Sequence, residues 1–173
     1  MYPERNTPAG GLFLLTLNIQ DRQPWLAVPR TRDVLLAVLR TWHMERNGRI
    51  LAAMALPDRV HVLLELAGNI TAAQVVANWK AALRRGAGYP ETFERDFVGH
   101  RLRETEKAED YGLYLYLCPY RAGLIPAEEK WPGWWVPEAA VFQFPGALSP
   151  EGLPPAEWIA WPEEKFAGLT VEK

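Results

Sequence analysis

Residues 55–66, ALPDRVHVLLEL, contain the strand from which the fold is predicted. If residues 59–66 form a β-strand, alternate side chains lie on opposite faces of the sheet. One face is then wholly apolar, with Val60, Val62, Leu64 and Leu66, and the other carries Arg59, His61, Leu63 and Glu65. An arginine and a histidine thus lie side by side on the second face, where they are candidates for a functional site.

The sequence around this strand predicts an antiparallel sheet with helices. RILAAMAL (residues 49–56) and the turn Pro57-Asp58 complete a hairpin with it. Two more strands are predicted at residues 11–19 and within FVGHRLR, residues 97–103. Apolar periodicity and end signals predict helices within residues 30–48, 71–86 and 104–117. The order β-α-β-β-α-β-α is typical of an α+β fold, with a central antiparallel sheet and helices mainly on one side.

The chain divides by composition into a body, residues 1–125, and a C-terminal extension, residues 126–173. The extension is rich in proline and tryptophan, which predicts an extended segment packed on the body instead of long regular elements. The body holds 16 Lys and Arg against 13 Asp and Glu, whereas the extension holds 3 against 8. A mildly basic body is therefore masked by an acidic extension, and the formal net charge of −2 by itself argues against a dedicated nucleic-acid binder.

Cysteine content and apolar run length indicate the compartment. Cys118 is the single cysteine, so an internal disulfide is excluded. No apolar run approaches the roughly 20 residues of a membrane helix, and the N-terminal residues do not resemble a secretory signal. We therefore expect a cytoplasmic protein without membrane contact.

The last predicted helix carries a second pair of reactive side chains. Tyr114 and Cys118 are four residues apart, so a helix places them on one face. A tyrosine and a thiol facing a strand that offers His61 would suit a metal-assisted tyrosine nucleophile. From spacing alone, aromatic residues on a helix that faces a sheet belong to the core more often than to a reactive site.

Residues 10–135 resemble the single-tyrosine HUH transposases, and more closely the REP-associated tyrosine transposases. The resemblance rests on GGLFLLTLNIQDRQP, MALPDRVHVLLEL, FVGHRLR and YLYLCPYRAGLI, which occur in the order of the family's first strand, HUH strand, later strand and tyrosine helix. It implies a ferredoxin-like domain that cleaves and rejoins single-stranded DNA. A divalent metal, Mg²⁺ or Mn²⁺, would polarise the scissile phosphate while the tyrosine attacks it.

Carried over to this chain, the resemblance makes Tyr114 the nucleophile and His61 the second HUH histidine. Cys118 stands where relatives carry Asn or Gln, and Arg59 stands in place of the first histidine. A guanidinium has no lone pair for a metal, and a soft thiol suits neither Mg²⁺ nor Mn²⁺. Metal binding and nicking are therefore expected to be impaired.

Three functions remain open at this point. In the first, the protein binds single-stranded or hairpin DNA without efficient nicking, and Arg59 binds a phosphate or pairs with a carboxylate. In the second, Arg59 replaces the metal charge and Tyr114 still acts as a nuclease-ligase nucleophile. In the third, the protein is a scaffold whose extension covers the former DNA face. DNA contacts are expected from basic side chains on the second helix, the fourth strand and the end of the tyrosine helix: Lys80, Arg84, Arg85, Arg101, Arg103 and Arg121.

Overall fold

The hairpin predicted at Pro57-Asp58 forms the centre of the sheet in a computed structural model that describes residues 9–45, 48–86, 93–138 and 141–171. Strands β2 (Gly48–Leu56) and β3 (Arg59–Leu66) pair antiparallel across that turn. The other strands are β1 (Gly11–Asn18), β4 (Val98–Arg101) and the short β5 (Trp134–Trp135). Their order is β4-β1-β3-β2-β5, with every pairing antiparallel.

Three long helices lie between and after these strands. They are α1 (Pro29–Met44), α2 (Ala72–Arg85) and α3 (Ala108–Arg121), and a short α4 (Ala156–Ile159) follows in the extension. Helix α2 begins with a capping box, in which the Thr71 side chain accepts from the Gln74 backbone while the Gln74 side chain accepts from the Thr71 backbone. The predicted α+β order β-α-β-β-α-β-α is confirmed.

The sheet separates two hydrophobic cores. Helices α1 and α2 cover one face, where the strand β3 side chains Val60, Val62, Leu64 and Leu66 are buried. Helix α3 covers the opposite face and packs on Leu63 and Met54. Two of the three long helices therefore share one side, and the tyrosine helix lies on the side to which Arg59 and His61 point.

Helix α3 begins and ends later than the predicted 104–117. It starts at Ala108 and continues through Pro119 to Arg121. Pro119 has no N–H to donate to the carbonyl oxygen four residues earlier, but the turn around it is closed by the Ala122 N–H, which donates to the Cys118 carbonyl oxygen at 3.0 Å. Tyr120 is buried in that turn, and its hydroxyl donates to the Glu129 carbonyl oxygen at 2.9 Å.

Residues 126–138 and 141–171 pack against the α3 side of the sheet. The Trp131 indole donates to the Ala55 carbonyl oxygen at 2.9 Å, and strand β5 adds to the edge of β2. Three phenylalanines of the extension, Phe142, Phe144 and Phe166, are buried with the α3 side chains. No helix within the described ranges is long and apolar enough to cross a bilayer.

Gly112 of α3 provides a test of this packing. Alanine in a helix interior is normally more stable than glycine by about 1 kcal/mol. Here an added Cβ would overlap the Phe142 ring, so Gly112→Ala is expected to destabilise the protein by about 1–3 kcal/mol in urea unfolding. Gly168→Ala, where a Cβ meets open space, is the control, and Gly112→Ala in a Phe142→Ala background should lose the penalty. A stabilised Gly112→Ala single variant would contradict this packing.

Candidate nicking centre

One cavity of about 230 Å³ collects the side chains singled out on β3 and α3. Arg59 and His61 come from the start of β3, and Tyr114 and Cys118 come from successive turns of α3. The remaining lining residues are Leu56, Arg121, Ala122 and Glu163. Alternate residues of the strand and residues one turn apart on the helix therefore line the same cavity.

His61 is buried, with 1% of its surface exposed. Its Nδ1 lies 2.7 Å from the Thr16 hydroxyl, directly across the β1–β3 ladder. Burial, reinforced by the nearby Arg59 charge, lowers the His61 pKa to about 3, so the ring is neutral near pH 7. When Thr16 donates to Nδ1 the proton is on Nε2, and when Nδ1 donates to Thr16 the lone pair of Nε2 is available.

Arg59 is paired with the preceding residue. Its Nε donates to Asp58 Oδ1 at 3.1 Å and its Nη2 to Asp58 Oδ2 at 3.4 Å. Arg22 also reaches Asp58 Oδ2, at 3.4 Å. Burial opposes ionisation of Asp58, but the hydrogen bond and charge of Arg59, aided by Arg22, hold its pKa below the ordinary value. The Arg59 guanidinium thus lines the cavity while two of its nitrogens are held at the hairpin turn.

Tyr114 and Cys118 are both held in their neutral forms. Burial, with smaller contributions from Cys118 and Glu163, raises the pKa of the Tyr114 phenol to about 12. Burial also raises the pKa of the Cys118 thiol to about 12, which the charges of Arg59 and Arg121 oppose. An activated nucleophile has the opposite shift, because attack requires the deprotonated oxygen.

The extension forms one wall of the cavity, the placement that the scaffold alternative assumed and that the sequence left open. Arg121, expected to contact a DNA phosphate, instead donates to the Trp161 carbonyl oxygen at 2.6 Å and to Glu163 Oε1 at 3.1 Å. Its guanidinium also lies 5.0 Å from the centre of the Phe166 ring. The Tyr114 ring meets the same Phe166 edge-on, with centroids 5.2 Å apart. Both candidate site residues of α3 are therefore covered by the segment around Glu163.

The donors present do not suit Mg²⁺ or Mn²⁺. Of the three positions that the resemblance assigns to a metal, Arg59 has no lone pair and Cys118 is a protonated thiol, which leaves His61. Within residues 9–45, 48–86, 93–138 and 141–171, no group of three or more His, Cys, Asp or Glu side chains is arranged to hold a metal ion. A single imidazole is a poor site for ions that prefer several oxygen ligands in octahedral geometry.

The other predicted DNA contacts lie away from this cavity. Lys80, Arg84 and Arg85 belong to α2, which covers the opposite face of the sheet. Lys80 is committed to the protein, since its Nζ donates to the carbonyl oxygens of Glu94 and Arg95 at 2.7 and 3.0 Å. Arg101 and Arg103 are exposed at the β4 edge.

His100 of strand β4 belongs to a separate network. Its Nε2 lies 2.9 Å from Glu106 Oε1, which also accepts from the Tyr111 hydroxyl at 2.6 Å. The Thr170 backbone N–H donates to that same hydroxyl at 3.0 Å. This network connects β4, α3 and the end of the extension beside the cavity.

Comparison with known proteins gives one informative likeness. No protein-family model and no curated protein matches the chain. A solved structure of a REP-associated tyrosine transposase bound to a REP hairpin superposes with a TM-score of 0.63 over 94% of this chain and 90% of that one, at 20% identity. The chain has a transposase-like fold. A transposase candidate from Deinococcus radiodurans also matches at 20% identity, over 60% of this chain and 88% of that one, but its TM-score of 0.46 supports no inference.

The buried histidine of this transposase-like domain predicts a pH dependence of stability. The unfolded chain takes up a proton at His61 below pH 6.5, whereas the folded protein resists protonation down to about pH 3. Stability should therefore fall as the pH is lowered through this window, by up to about 1.4 kcal/mol per unit. The measurement is the free energy of unfolding in urea for wild type and His61→Gln, taken at several pH values between 7.5 and 5.5. His61→Gln should reduce the slope, and an unchanged slope in that variant would refute the assignment.

Proposed function

We propose that this protein binds hairpin or single-stranded DNA through a transposase-like domain and does not nick it. The observation that carries the proposal is the composition of the cavity, in which Tyr114 faces Arg59, His61, Cys118 and Glu163 instead of a metal-binding set. The support for DNA as the partner is the fold, which is shared with a protein whose solved structure holds a REP hairpin.

Electrostatics of the cavity oppose a nicking reaction. A scissile phosphodiester carries a negative charge, and it would enter a space where Arg121 is already paired with the Glu163 carboxylate. Phe166 lies against Tyr114 on the same side. Without a metal, Arg59 would have to stabilise the negative charge that develops on the phosphoryl oxygens. Its guanidinium is already bound to Asp58. Binding without cleavage is the function that these contacts favour.

The exposed arginines of the β4 edge are the proposed phosphate contacts. Strand β4 lies at the edge of the sheet opposite β5, and Arg101 and Arg103 are exposed there. Arg84 and Arg85 are exposed at the end of α2, on the helix layer that covers the other face. Phosphate contacts of this kind supply most of the non-specific affinity and are weakened by salt.

A partner-binding scaffold is the second candidate, and the covered cavity favours it. If the extension stays over Tyr114 and Arg121, the protein retains the fold for another purpose and has no affinity for DNA. An active nuclease-ligase, the remaining alternative, requires that Tyr114 react despite the cover.

Fluorescence anisotropy of a labelled hairpin with a single-stranded flank separates the first two functions. We expect binding at 50 mM salt that weakens at 200 mM by at least tenfold, as phosphate contacts require. Arg101→Ala/Arg103→Ala should weaken binding and make the salt dependence shallower by about one unit per lost contact. The control is Arg40→Ala/Arg49→Ala, which removes the same charge from exposed positions that are not assigned to DNA. Flat anisotropy of the wild type at both salts would leave the scaffold as the function.

A covalent-adduct assay tests the absence of nicking. Wild type and Tyr114→Phe are incubated with hairpin DNA and Mn²⁺ and separated under denaturing conditions. Neither should form a protein–DNA adduct, and a known single-tyrosine transposase run in parallel shows that the assay works. An adduct in the wild type that is lost in Tyr114→Phe would replace this proposal with the nuclease-ligase.

A further inference from the structure

Trp25 differs from the other tryptophans of the chain in its exposure. All eight lie within the described residues, and seven are buried or half-buried. Trp25 has 38% of its surface exposed, although its neighbour Leu26 is 1% exposed. Single exposed apolar side chains are common on protein surfaces, so what distinguishes Trp25 is the loop that holds it and the charged residues near it.

The loop that carries Trp25 is held in one conformation by backbone hydrogen bonds. The Ile19 N–H donates to the Asp58 carbonyl oxygen at 2.8 Å, and the Leu26 N–H donates to the Pro57 carbonyl oxygen at 2.9 Å. Leu26 is buried in this loop, whereas Trp25 remains partly exposed. Asp21 and Arg22 both adopt φ of 54°, a left-handed conformation that non-glycine residues adopt at a cost. The exposed indole is thus maintained by a costly and well-bonded loop.

This loop lies beside the hairpin turn that leads into the cavity. Arg22, three residues before Trp25, reaches Asp58, and Asp58 binds Arg59, which lines the cavity. Arg30, in the first turn of α1, is also exposed. Trp25 thus lies three residues after Arg22 and five residues before Arg30. An exposed aromatic ring with cations nearby can bind an unpaired base, because the ring stacks on the base while a cation meets the backbone.

We propose that Trp25 is a stacking platform for an unpaired base of the single-stranded DNA that flanks a bound hairpin. The proposal rests on the proposed DNA-binding function and names the part of the DNA that this loop contacts. The exposed apolar surface is too small for a second copy of the chain. Among the described residues the other large exposed hydrophobic side chains are Val28, Met44 and Leu124, and Met44 lies roughly 22 Å away along α1. A stable dimer buries about 800 Å² per partner.

The test compares two DNA ligands, a hairpin with a single-stranded flank and the same hairpin without it. Trp25→Leu keeps an apolar side chain but removes the aromatic face, and Trp25→Phe keeps a smaller one. Trp25→Leu should weaken binding of the flanked hairpin by about 5- to 150-fold, the range expected when one base loses its stacking partner. Trp25→Phe should lose less, and binding of the hairpin without a flank should not change.

Met44→Ala is the matched control, since it removes an exposed apolar side chain at the far end of α1. 2-Aminopurine placed in the flank reports stacking directly, because its fluorescence is quenched by a stacked ring, and the quenching should fall in Trp25→Leu. Equal affinity of wild type and Trp25→Leu for the flanked hairpin would overturn the platform while leaving DNA binding intact. Failure of the wild type to bind either DNA would overturn the proposed function and the platform with it. A concentration-dependent dimer that Trp25→Leu abolishes would assign the indole to self-association instead.

Discussion

Strand β3 is paired on both edges and buried on both faces, and the rest of the structure depends on this constraint. Val60, Val62, Leu64 and Leu66 face α1 and α2, so the alternating residues His61 and Leu63 must face α3. A slip of one residue would exchange the two faces, and the apolar pattern forbids it. The same register sets Thr16 opposite His61, which gives the buried ring its hydrogen-bond partner. Packing alone therefore places a histidine beneath the tyrosine helix.

The chemistry of the cavity follows from how little water reaches it. Burial favours the neutral forms of His61, Tyr114 and Cys118. The charged residues are compensated in pairs, Arg59 by Asp58 and Arg121 by Glu163. One of these two carboxylates comes from the extension, so the extension contributes to the electrostatic balance of the site as well as to its cover.

The strand and helix periods were sufficient to predict the sheet and its central hairpin. The grouping of Arg59, His61, Tyr114 and Cys118 came from the family resemblance, since spacing alone favoured a packing role for the tyrosine helix. The extension could not be placed, because a proline-rich segment has no period and its course is set by tertiary contacts such as Arg121 with the Trp161 carbonyl oxygen. The same limit applies to other tertiary contacts and to the end of a helix. Nothing in the sequence shows that Lys80 binds two backbone carbonyls or that α3 continues through Pro119.

An arginine at position 59, where the family that the sequence resembles has a histidine, is easily accommodated for a reason specific to that position. Residue 59 begins the strand beside the turn, and 18% of its side chain is exposed, so a long guanidinium can bend back to Asp58. Residue 61 is enclosed, and an arginine there would be a buried charge facing the Arg59 charge. A histidine suits position 61 because it can be neutral, fill the space and bond to Thr16. Its presence therefore follows from packing and hydrogen bonding, without any need for a metal.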